Sequence, residues 1–152
     1  MKLTDLADHV FRNLGEPTDA SIPNITFWLE GRIGELNNLI NTTIVYDPVT
    51  QDFSPELTDE QASIFGLMYS ISYFTRLIKV SLGAGAFDWS EISDGDTTIR
   101  RVSRNEMSKT YIQLRNQIQT ELNDMIFYYK QNRTVPYSLS AVHNLIRFYR
   151  VG

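Results

Sequence analysis

Apolar residues recur at helical spacing in four stretches of the chain. Leu6, Val10, Phe11 and Leu14 share one face of a short segment from about Thr4 to Leu14, with Gly15 as a natural stop. From about Ile22 to Ile40 the face is carried by Ile25, Leu29, Ile33, Leu36 and Ile40, with Ser21 suited to the N-cap and Pro23 tolerated in the first turn. Gly31 and Gly34 sit inside that segment. Each costs roughly 1 kcal/mol against Ala, which predicts that another backbone approaches closely there.

The third segment opens with a capping box, Thr58 and Gln61, and runs to Leu82 before Gly83. Ile64, Leu67, Met68, Ile71, Phe74, Leu77 and Ile78 mark its stripe, widened by Tyr69 and Tyr73. The fourth begins at a second box, Ser103 and Glu106, and reaches about Gln131. Met107, Tyr111, Leu114, Ile118, Leu122, Met125 and Tyr129 line it in steps of three and four. Two long amphipathic helices joined by a loop should pack as an antiparallel hairpin.

The pattern changes between these segments. Residues 41–57 hold Thr43-Thr-Ile-Val-Tyr46, then Asp47-Pro48 and a second run ending at Phe53, which predicts a small β-hairpin or a projecting arm. Residues 83–102 carry Phe87, Trp89 and an acidic cluster; a connection of this length is usually functional or ordered by a partner. Beyond Pro136 the chain stays apolar through Tyr137, Leu139, Ile146, Phe148 and Tyr149, so it either folds back onto the bundle or lies against another chain. The predicted fold is mostly α: a helical bundle centred on the long antiparallel hairpin, with a β-hairpin arm and an extended C-terminal tail. The bundle domain spans residues 1–132, the arm about 42–55 and the docking tail 133–152.

Composition narrows the classes. With 152 residues and 42% hydrophobic content, the chain suits one globular domain, and no apolar run approaches the ~18 residues of a membrane span. Asp5 and Asp8 stand where an export signal needs apolar residues, so export by that route is not expected. There is no Cys, hence no disulfide, thiolate metal site or cysteine nucleophile. Charge is unevenly spread: residues 1–60 hold 11 acids and 3 bases, residues 61–152 hold 7 acids and 11 bases. Such polarity favours either attraction between copies or an acidic partner, unless folding mixes the two halves across one surface.

Candidate chemistry is sparse. His9 and His143 lack the neighbours of a triad, and Gly83-Ala-Gly85 lacks the preceding strand and the Lys of a phosphate loop. Asp88, Glu91, Asp94 and Asp96 lack the spacing and closing Glu of a calcium loop. Arg100, Arg101 and Arg104 cluster beside acids, without the interleaved aromatics of a nucleic-acid surface. No cofactor, metal or enzymatic activity is expected.

Leu82-Gly83, then Trp89, then Asp94-Gly-Asp-Thr-Thr-Ile-Arg-Arg101, followed by a long helix ending at Tyr128-Tyr-Lys-Gln-Asn-Arg133 and Pro136, resembles the head–tail connector proteins of tailed bacteriophages. In particular it looks like the adaptor, or head-completion, proteins that bind beneath the portal. The resemblance spans about residues 22–137, as an order of elements more than a strict motif. It implies a structural virion component made in the host cytoplasm: typically twelve copies form a ring under the portal and offer a surface to the next neck or tail protein. DNA would pass through the channel only as cargo, and no membrane is involved. By position, Tyr137, Leu139, Ile146, Arg147, Phe148, Tyr149 and Arg150 would reach the portal. Ile44, Tyr46, Phe53, Trp89, Arg100 and Arg101 would contact a neighbouring subunit or the neck. Two alternatives are another neck or tail-completion ring protein, and a non-viral helical module acting as an oligomer.

Overall fold

The two longest periodic stretches fold as the two longest helices, α4 (Asp59–Gly83) and α5 (Arg104–Thr134), and they pack against each other. A computed structural model describes residues 1–83, 91–94, 97–100 and 104–134. At 1.5 Å per residue α4 and α5 run about 38 and 46 Å. Contacts along the pair set an antiparallel register. Ser81 Oγ lies 2.7 Å from Ser108 Oγ at one end. The Phe74 and Tyr111 rings are 6.2 Å apart further along, and Gln61 Nε2 donates to Tyr129 Oη at 2.7 Å at the other end. The capping box of α4 is formed: the Thr58 N–H donates to Gln61 Oε1 at 3.0 Å and the Gln61 N–H to Thr58 Oγ1 at 3.3 Å. The box expected at Ser103 lies outside the described residues.

The N-terminal half lays three shorter helices on this pair. α1 (Leu3–Asn13) buries Leu3, Leu6, Ala7 and Val10, and ends where Gly15 turns to φ +80°. The single helix expected over 22–40 is instead two, α2 (Ile22–Gly31) and α3 (Ile33–Ile40), divided at Arg32 with φ −115° and ψ 8°. A Cβ at Gly31 or Gly34 would meet nothing within 4 Å, so the close backbone approach expected at those glycines is not there. The close approach falls at Gly66 on α4, where a Cβ would lie 3.2 Å from Val10 Cγ2 of α1.

After α3, Asn41 takes φ +54° and the chain turns into β1 (Val45–Asp47) and β2 (Asp52–Ser54), paired antiparallel with Tyr46 opposite Phe53. The connection between α4 and α5 holds a second antiparallel pair, β3 (Glu91–Asp94) and β4 (Thr97–Arg100). One core runs through the described residues. Phe65, Leu3, Leu6, Ile25, Leu29, Leu36, Ile44 and Ile64 are its fully covered large side chains.

Candidate functional site

The first strand pair is where the expectations meet the structure most directly, and it corrects two of them. Ile44 is 2% exposed and Phe53 6%, both within the core cluster, so neither side chain is available to a neighbouring protein. Asn37 explains why. Its Nδ2 donates to the Ile44 carbonyl at 2.7 Å, and its Oδ1 accepts from the Ile44 N–H and from Thr42 Oγ1, both at 2.9 Å. These bonds hold the chain against α3 and drive Ile44 inward. The arm is therefore anchored, its inner face part of the core. Tyr46 is half-buried and packs on Phe53 at 5.6 Å; burial pushes its hydroxyl pKa up. Arg100 pairs in register with Glu91 on the second hairpin. Trp89, Arg101 and the tail residues Tyr137, Leu139, Ile146, Arg147, Phe148, Tyr149 and Arg150 lie outside the described residues.

What the anchored hairpin exposes is its turn. Val49 is 89% exposed and Val45 65%. Asp47 shapes the turn, accepting from the Val49 N–H at its Oδ1 (2.9 Å) and from the Gln51 N–H at its carbonyl (2.8 Å). Asp47 and Asp52 stand directly opposite across the strands. Like charges in that position oppose pairing.

A second surface lies between α2 and α4. Phe27, Trp28, Tyr69 and Tyr73, with Arg32 and Arg76, line a groove of about 430 Å³ that has no carboxylate among its lining residues. Trp28 meets Tyr69 edge-on at 5.3 Å, the Arg32 guanidinium lies 5.5 Å from the Trp28 ring, and that of Arg76 lies 5.5 Å from Tyr73. Both arginines have partners outside the lining: Arg32 pairs with Glu35, and Arg76 donates to Asp19 Oδ2 at 2.9 Å. Their side chains nonetheless remain 51% and 52% exposed, leaving donors for a further acceptor. Phe27 is 80% exposed.

A third surface is carried by α5. Phe127 and Tyr128 are exposed and stack edge-to-face at 5.7 Å, while the stripe residues Met107 and Leu114 are less exposed, Leu114 beside the cleft between α1, α4 and α5. Between α1, α4 and α5 a cleft of about 540 Å³ is walled by Val10, Leu67, Phe74, Ile118 and Met125 with His9 and Glu121.

None of these surfaces was singled out by sequence periodicity, yet the signal is present. Phe27 falls between the stripe positions Ile25 and Leu29, and Phe127 and Tyr128 fall between Met125 and Tyr129. Large aromatics out of phase with a buried stripe point to solvent or to a partner. Among the described residues no three His, Asp or Glu side chains gather as metal ligands, and no helix is long and apolar enough to cross a membrane. No family model matches the chain, and no curated protein or solved structure matches it either.

Proposed function

We propose that this chain is a structural, non-enzymatic virion component, a head–tail adaptor that forms a ring beneath the portal of a tailed bacteriophage and links it to the neck or tail around the DNA channel. The observation that carries the reading is the exposed aromatic pair Phe127 and Tyr128 on α5. Both fall between the stripe positions Met125 and Tyr129 and are 62% and 61% exposed, an arrangement suited to covering by other subunits. The resemblance in the order of elements supplies the identity of those subunits. The tail, residues 133–152, is assigned to the portal; the exposed turn of the hairpin and the Phe127–Tyr128 pair of α5 are assigned to neighbouring copies and the next neck protein. Ring subunits need two unlike complementary surfaces, because a heterologous contact that closes generates a cyclic oligomer.

Assembly tests this reading. The purified chain, mixed with the portal protein encoded nearest its own gene and imaged by electron microscopy, should give a ring seated under the portal. Truncation after Asn132 should leave a cooperatively folding helical domain that no longer binds the portal. A stable dimer through α5 with no affinity for any portal would replace the adaptor by a helical interaction module.

A further inference from the structure

We infer that the turn of the first hairpin in one copy seats in the arginine–aromatic groove between α2 and α4 of the next, so that the repeating contact is head to tail. Closure of the repeat rests on the ring reading; the contact itself rests on the chemistry of the two surfaces. The turn offers Pro48 and the exposed Val49 between the carboxylates of Asp47 and Asp52. The groove offers an aromatic floor between two guanidinium groups, with no carboxylate of its own lining. Apolar atoms would meet apolar atoms, and the carboxylates would meet guanidinium groups that stay half-exposed beside their partners Glu35 and Asp19.

The occupant is assigned to a second copy because the turn carries the carboxylates that the groove lining lacks and is itself bonded to its own α1. The Leu3 N–H donates to the Gln51 carbonyl at 3.4 Å, tying the turn to its own α1. The opposed carboxylates of Asp47 and Asp52 add a reason of their own. Their repulsion weakens the isolated strand pair, and cations arriving from outside relieve it. Among the described residues the Met1 amino group attracts Asp52 but is bonded to Glu56. Finally, the turn and the groove are unlike surfaces on one chain, which is the requirement for propagation rather than for a two-fold dimer.

The absence of Cys makes a clean test possible in the full chain. Val49→Cys and Ser72→Cys, the latter on the groove wall, are purified separately and mixed under mild oxidation; Val49→Cys with Thr120→Cys on α5 is the control pair. A disulfide-linked heterodimer is expected from the first mixture and not from the control. Its yield should fall roughly tenfold with Arg32→Glu, recover when Asp52→Arg is placed on the turn-bearing copy, and fall again in about 1 M salt, where the Debye length is only about 3 Å. The doubly substituted V49C/S72C chain should give a ladder that stops at one closed size. Equal linking in both mixtures, or no linking in either, overturns the contact. If wild-type rings form while Val49→Cys and Ser72→Cys stay unlinked, the contact is wrong and the ring reading stands. If they link only into dimers or open chains, the contact stands and the ring reading falls.

Discussion

Gln61 and Tyr129 clasp one end of the long helix pair with a single buried hydrogen bond. Gln61 is 4% exposed and Tyr129 2%, and the amide Nε2 donates to the phenol oxygen at 2.7 Å. The same Gln61 closes the N-terminal box of α4 through its Oε1. One side chain therefore starts a helix and docks its partner. Tyr129→Phe keeps the ring, and with it the Arg133 guanidinium stacked at 4.4 Å, but strands the amide donor. A loss of about 1–3 kcal/mol is expected in urea unfolding. Gln61→Leu should cost more, since it also opens the box. The double variant should lose less than the two singles together, because it leaves no buried polar group orphaned across the seam.

The hairpin separates a buried face from an exposed turn, and stability should report the difference. Phe53→Ala is expected to cost about 3–5 kcal/mol and Ile44→Ala about 2–5 kcal/mol, through lost contacts and the cavities left. Val49→Ser, at a side chain 89% exposed, should stay within about 0.5 kcal/mol. Replacing residues 44–53 by a Gly-Ser linker should lower the thermal midpoint strongly, whereas a detachable arm would leave it unmoved.

Much of this was legible in the sequence, and the parts that were not share a cause. The α4–α5 pairing followed from stripe spacing, and the Thr58–Gln61 box from four adjacent residues, because both depend on local order alone. Whether Ile44 faces a core or a partner depends on Asn37, seven residues earlier, whose amide pins the backbone. Periodicity over Ile22–Ile40 is continuous even though the backbone breaks at Arg32, since the two helices keep their stripes facing one core. The groove at Trp28 and Arg76 joins residues far apart in the chain, so only packing could assemble it.

Alkaline pH should loosen the joint between α4 and the segment before α2. Burial first, and then the hydrogen bond from its hydroxyl to Asp19 Oδ1 at 2.8 Å, push the Tyr73 pKa from 10.0 up to about 12. The unfolded chain releases this proton more readily than the folded one. The contribution is therefore complete below pH 10 and is lost as pH rises through about 12. Tyr69 and Tyr46, also raised by burial, add to the same decline. Urea unfolding followed across this range should show stability falling, and Tyr73→Phe should make the fall shallower while lowering the neutral-pH value by about 0.5–1.5 kcal/mol. An unchanged alkaline slope in that variant would remove Tyr73 from the account.

Three glycines in helices should respond to alanine in opposite directions, according to what a methyl group meets. Gly34 lies within α3 on an exposed face, and an added Cβ finds nothing within 4 Å. Gly34→Ala should therefore stabilise by about 0.5–1 kcal/mol, because alanine restricts the unfolded chain and suits the helix. Gly31→Ala, at the last residue of α2 and equally open, should gain somewhat less, since the helix ends there. Gly66 differs. Its Cβ would press on Val10 Cγ2 at 3.2 Å, and Val10 is only 3% exposed and held by α1 within the core. For Gly66→Ala the propensity gain is offset by the displacement of α1 from α4, and a net loss of about 1 kcal/mol or more is expected, as for other overpacked cores. Pairing it with Val10→Ala removes the obstructing methyl. The double variant should then show a favourable coupling of at least about 0.5 kcal/mol relative to the summed singles. Thermal unfolding of the five proteins decides it. Equal gains at Gly34 and Gly66 would mean that α1 yields easily, and that the close helix approach at Gly66 does not hold the N-terminal half in place.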